Sequence, residues 1–119
     1  NLAISEDGEK FDKRKKCIPY EIGRAQAFSR PVVIKWKDKW RMWYSYRGNK
    51  DKYKIGYAEA DNLDKWVVKE SNFNCSESGW DSEMVCYPYV FEYNDKLYML
   101  YNGNGYGKTG IGLAVLEEE

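Results

Sequence analysis

The sequence predicts an all-β chain of four-stranded antiparallel meanders, and three observations predict it. The first is an internal repeat. Pro31 to Gly48 (PVVIKWKDKWRMWYSYRG) aligns without a gap on Pro88 to Gly105 (PYVFEYNDKLYMLYNGNG) at a shift of 57 residues. The second is an excess of aromatic residues, 17% of the chain with eleven Tyr and five Trp, which favours half-buried pleated surfaces. The third is that no 3.6-residue periodicity runs long enough for a helix. Meanders recurring at this spacing are the blades of a β-propeller.

The elements follow in order. Leu2-Ala3-Ile4 reads as a third strand, and Phe11 to Lys15 as a short outer strand. Val32 to Trp36 and Tyr89 to Tyr93 are apolar first strands. Lys37-Asp38 and Asn94-Asp95 are tight hairpin turns, because Asn and Asp tolerate the positive φ such turns need. Trp40 to Tyr46 and Leu97 to Tyr101 are second strands. Gly48 to Lys52 and Gly103 to Thr109 are loops. Tyr53 to Ala58 and Gly110 to Leu116 are third strands, matched through Ile55-Gly56-Tyr57-Ala58 and Ile111-Gly112-Leu113-Ala114. Trp66 to Glu70 is another outer strand. The chain thus divides into a half-blade over 1–22, a full blade over 23–75 and an incomplete blade over 76–119. Two blades are too few to close a ring, which takes four or more. The expected partners are therefore either further copies in a homo-oligomer or the remainder of a larger propeller, meeting the open strand edges.

Composition narrows the chemistry. Nineteen basic and nineteen acidic residues cancel, so charge offers no argument for nucleic acid or a membrane surface. No apolar run reaches the roughly 20 residues of a membrane span. The absence of histidine excludes a Ser-His-Asp triad and His-ligated metals, and no metal or cofactor is expected. Cys17, Cys75 and Cys86 form neither a disulfide framework nor a zinc site. They read as reduced thiols, which places the protein in the cytoplasm.

The runs RPVVIKWKDKWRMWYSYRG, YKIGYAEADNLDKW and YPYVFEYNDKLYMLYNGNGYGKTGIGLAV resemble blades of the five-bladed propeller glycosidases, the superfamily of family 43 arabinofuranosidases and xylosidases and family 32 invertases. The shared grammar is a Pro opening the inner strand, a turn, a second strand such as RMWYS or YMLY, and a third such as IGYA or IGLA. The resemblance implies a carbohydrate ligand and cleavage of a glycosidic bond by carboxylates at the mouth of a central funnel. In such enzymes two carboxyls stand about 5 Å apart for retention or about 6.5–9.5 Å for inversion. An acid commonly precedes the inner-strand Pro in these enzymes. Here Arg30 and Tyr87 take that place, behind Ser29 and Cys86.

The nearest upstream carboxylates are Asp81 and Glu83 in GWDSEMVCYP, and Glu21 in YEIGRAQAFSRP. Glu83 is the candidate general acid and Asp81 its partner or a hydroxyl ligand; either acid also serves as a loop cap. Glu21 is a substrate-binding candidate. Arg24, Arg30 and Arg47 are clamps for a substrate or inter-blade ion pairs. Trp80, Tyr87 and Tyr89 either stack on a sugar or pack blade on blade. The loop Asn102 to Gly110 reads as a connection using Gly for positive φ rather than a phosphate cradle. Two functions stand: a glycoside hydrolase, and a carbohydrate-binding or scaffold propeller without catalysis.

Overall fold

The computed structural model describes residues 1–117, apart from the side chain of Arg14. It contains nine strands: β1 (Leu2–Ile4), β2 (Asp12–Lys15), β3 (Ala27–Trp36), β4 (Lys39–Arg47), β5 (Lys54–Asn62), β6 (Lys65–Lys69), β7 (Cys86–Tyr93), β8 (Lys96–Asn102) and β9 (Ile111–Val115). They form three antiparallel sheets in the orders β1-β2, β3-β4-β5-β6 and β7-β8-β9. The chain is all-β, with propeller-type meanders as the repeat predicts. Both hairpin turns have positive φ at both central residues, 49° and 62° at Lys37 and Asp38, 48° and 60° at Asn94 and Asp95. This is the turn whose twist matches that of the strands it joins.

The inner strands differ from expectation at their starts. β3 begins at Ala27 and β7 at Cys86, upstream of the prolines. A Pro cannot donate to a ladder, and both sheets absorb this with the same β-bulge. The register steps from Ser29↔Ser45 to Val32↔Trp43, and from Cys86↔Asn102 to Tyr89↔Leu100. One extra residue is thus accommodated in each inner strand.

A second device is shared. Tyr44 pairs with Gly56, and Tyr101 with Gly112. In each pair the ring lies over the glycine, and a Cβ there would come within 2.5 Å of the Tyr44 ring or 2.6 Å of the Tyr101 ring. Only glycine leaves the ring that room, and the ring covers backbone the glycine would otherwise bare.

Strand alternation gives each sheet two faces. The larger core lies between the second and third sheets, where Trp43 and Ile55 meet Val90, Leu97, Met99 and Tyr101. The other face of the second sheet, with Met42, Tyr44, Ala58 and Trp66, packs on Cys17 and Ile18. A groove of about 910 Å³ remains there, lined in part by Phe28, Pro31, Val33 and Tyr44. Among the described residues the β1-β2 sheet has no inner strands to fill it.

Candidate functional site

In an up-and-down meander, the starts of odd strands and the ends of even strands share one end of the sheet. The entrances to β3 and β7, the β4–β5 loop, the β8–β9 loop and the β6–β7 connection therefore gather at one mouth, opposite the hairpin turns. Most of the sequence-derived candidates lie on these segments.

The bulges decide what projects there. Arg30 and Tyr87 have φ of 48° and 57°, left-handed backbone that bulky residues avoid. Each also precedes a proline, which ordinarily pushes its predecessor to extended backbone. Such strain costs on the order of 1–3 kcal/mol per residue. A bulge re-aims its side chain, and the two bulged side chains meet: the Arg30 guanidinium sits over the Tyr87 ring at 4.4 Å. The Tyr87 N–H donates to Ser45 Oγ of the preceding sheet at 2.7 Å, and Ser45 is fully buried. One sheet thus supports the bulge of the next.

Two further tyrosines complete a cluster. Tyr53 lies 6.3 Å from Tyr87 and 6.0 Å from Tyr106, and Tyr87 lies 6.0 Å from Tyr106. Arg47 covers Tyr53 at 5.6 Å and donates to the Gly48 carbonyl at 2.9 Å. Tyr106 is itself left-handed, with φ of 60°, in a turn over Asn104–Gly107. Among the described residues, every non-glycine with positive φ lies either in a hairpin turn or in this cluster. Burial pushes the Tyr87 hydroxyl above its ordinary pKa, neighbouring Cys86 adds to the shift, and Arg30 opposes it.

Glu83 borders the cluster. Its side chain is 63% exposed and pairs with Lys52 at 3.6 Å, one residue before Tyr53. Its backbone N–H donates to Asn104 Oδ1 at 2.8 Å, which ties it to the loop carrying Tyr106. Asp81 has the opposite environment. It is buried and accepts a 2.9 Å hydrogen bond from the Tyr101 hydroxyl. Burial, and then this bond, raise Tyr101 to about 12.

The remaining candidates stand apart. Glu21 and Arg24 pair with each other at 3.4 Å on an exposed turn. That turn packs so tightly on Gly48 that a Cβ there would lie 2.1 Å from the Gly23 carbonyl oxygen. Trp80 stacks on Tyr101 at 5.6 Å and occupies the space beside Gly103, Gly110 and Gly112. Its carbonyl accepts from Asn104 N and Thr109 Oγ1, so it is built into the third sheet's loops. Tyr89 is exposed on the far face of that sheet and stacks on Phe91 at 6.1 Å. Sequence reasoning missed Tyr53 and Tyr106. Their signal is the end of the meander their loops occupy, since neither falls in the repeat's matched positions.

No family model matches the sequence. Two proteins of Mycobacterium tuberculosis, strains CDC 1551 and H37Rv, both described as uncharacterized, are each 38% identical over 116 residues. The match covers 97% of this chain and 39% of theirs, so the chain spans about two-fifths of the length of these curated relatives. Among solved structures, it is similar to one described as a glycoside hydrolase, with a TM-score of 0.74 and 18% identity. That match covers 98% of this chain and 35% of the other. It is also similar to a protein solved as a BT0996 RGII complex, at TM-score 0.68 and 21% identity, covering 87% of this chain and 36% of the other. The likeness is one of fold. These sheets are similar in fold to about a third of a solved glycoside hydrolase.

Proposed function

We propose that these sheets are part of a carbohydrate-active propeller and that the mouth formed by Arg30, Tyr53, Tyr87 and Tyr106 binds a saccharide. The observation that carries this reading is the convergence of three left-handed, non-glycine residues on one aromatic cluster. Backbone strain of this kind persists where the surroundings over-determine it, and it concentrates at functional sites. Tyrosine rings offer apolar faces with hydroxyls at their rims, which suits the mixed surface of a sugar. The fold likeness to a glycoside hydrolase agrees with it.

Hydrolysis is the second reading, in the sense of the family 43 and family 32 grammar. It rests on Glu83 as general acid, because Glu83 adjoins the cluster through Lys52 and Asn104. Asp81 is held by Tyr101 and serves this reading as an orienting group rather than an open base. The share of the relatives that the chain spans favours further blades of the same protein over a ring of copies as the partner of the open edges.

Aryl glycosides and an oligosaccharide panel separate the readings. Tyr87→Ala should abolish saccharide binding by the correctly folded protein. Turnover that disappears in Glu83→Gln establishes hydrolysis, and binding without turnover establishes a lectin-like mouth. Undiminished binding by folded Tyr87→Ala overturns the site.

A further inference from the structure

The charges around the cluster are not evenly matched. Glu83 pairs with Lys52 at 3.6 Å, Asp51 with Lys54 at 3.8 Å and Glu21 with Arg24 at 3.4 Å. These three carboxylates each have their own cation, while Asp81, on the same connection as Glu83, is buried and held by the Tyr101 hydroxyl. Arg30 and Arg47 have no carboxylate partner among the described residues. Each instead lies over a tyrosine ring, Arg30 on Tyr87 and Arg47 on Tyr53, and those two rings touch. Arg30 and Arg47 are thus two cations at the mouth that no described carboxylate engages directly.

A guanidinium on a ring face keeps its in-plane N–H groups free for another acceptor. Arg47 uses one such group on the Gly48 carbonyl, whereas Arg30 is exposed, lies over the Tyr87 ring and has no side-chain hydrogen bond among the described residues. The Arg30 backbone is held in a costly conformation, which fixes where its side chain starts. Two cations thus flank a stacking surface, and the acceptor best matched to a guanidinium fork is a planar carboxylate.

We infer that the mouth selects an acidic sugar, a uronate, whose ring stacks on the tyrosines and whose carboxylate is met by Arg30, with Arg47 supplying the second positive charge. The inference rests on the carbohydrate reading above and adds the substrate class.

The test titrates the full chain with paired oligosaccharides, oligogalacturonate or oligoglucuronate against the neutral galactose or glucose oligomer of equal length. Binding is followed by calorimetry or NMR at two salt concentrations. The uronate should bind at least about tenfold tighter, which is what one charged, hydrogen-bonded pair contributes, and the preference should shrink with salt. Arg30→Gln should erase most of that preference, lowering the affinity for the uronate at least about fivefold more than the affinity for the neutral oligomer. Arg30→Lys, which keeps the charge but loses the fork, should retain part of it. Circular dichroism checks that the variants fold. Equal affinity for neutral and acidic sugars, or equal losses of both in Arg30→Gln, overturns the uronate inference and leaves the carbohydrate reading standing. A sulfated neutral sugar that outcompetes the uronate overturns it too. If no saccharide of either kind binds, both readings fail.

Discussion

The second and third sheets repeat one pattern, yet equivalent residues meet different fates. Met42 and Met99 both face backward along the chain, and both are buried. Trp43 and Leu100 both face forward. Trp43 is 8% exposed because the third sheet covers it, whereas Leu100 is 40% exposed because nothing described follows it. The comparison also runs the other way. Val90 is 6% exposed against the second sheet, while Val33 is 42% exposed where β1-β2 has no inner strands. The forward face of the third sheet carries a cross-strand row of Tyr89, Leu100 and Leu113, all exposed. Burial in this fold belongs to the pair of sheets, and the alternation within one strand says only which residues are eligible for it.

Truncating residues on the two faces tests that conclusion most strongly. Leu97→Ala, on the covered face, should lose about 2–5 kcal/mol in urea unfolding. Leu100→Ala, on the bare face of the same strand, should lose under about 0.5 kcal/mol. A loss at Leu100 that approaches that at Leu97 would mean that a further sheet or a second copy covers the forward face in solution.

The bulges sharpen the comparison at an intermediate scale. Ser45 and Asn102 hold equivalent positions, opposite Ser29 and Cys86. Ser45 accepts from Tyr87 N across the sheet interface. Asn102 turns back and donates to the Tyr106 carbonyl at 3.1 Å. Ser45→Ala should cost about 1–3 kcal/mol, since it leaves the part-buried Tyr87 amide without its acceptor, and it should weaken any ligand that depends on Tyr87. Asn102→Ala should cost under about 1.5 kcal/mol, the net worth of an ordinary hydrogen bond. Equal costs would mean that the two positions are used alike.

The smallest effect is alkaline. Burial raises Tyr44 and Tyr101, the equivalent rings over Gly56 and Gly112, and also Tyr57, each from 10.0 to about 12. Between pH 10 and 12 the unfolded chain has lost these protons and the native one keeps them, so stability falls as pH rises. Their contribution is intact at and below pH 10 and is gone above about 12. Unfolding monitored together with tyrosinate absorbance should show stability declining across that window. A flat profile would contradict the buried placement of these rings.

Much of this was legible in the residues. The repeat, the Asn and Asp turns and the alternation within each strand are local in sequence, so they determined the strands, the hairpins and the two-faced sheets. Meander parity likewise placed Glu83, Arg30 and Tyr87 at one end. What the sequence left open depends on neighbouring sheets. Glu83 and Asp81 stand two residues apart, yet one is open to water and the other is held by Tyr101 from another strand. Trp80 reads in the sequence as either a sugar platform or a packing residue, and only the tertiary structure shows the room that Gly103 and Gly110 leave for its ring. Tyr53 and Tyr106 join Tyr87 only because two loops and a bulge converge. Local pattern determines how a strand forms and which way its side chains alternate. Which side chains meet at the mouth is decided by contacts between segments far apart in the chain, and only the tertiary structure holds those.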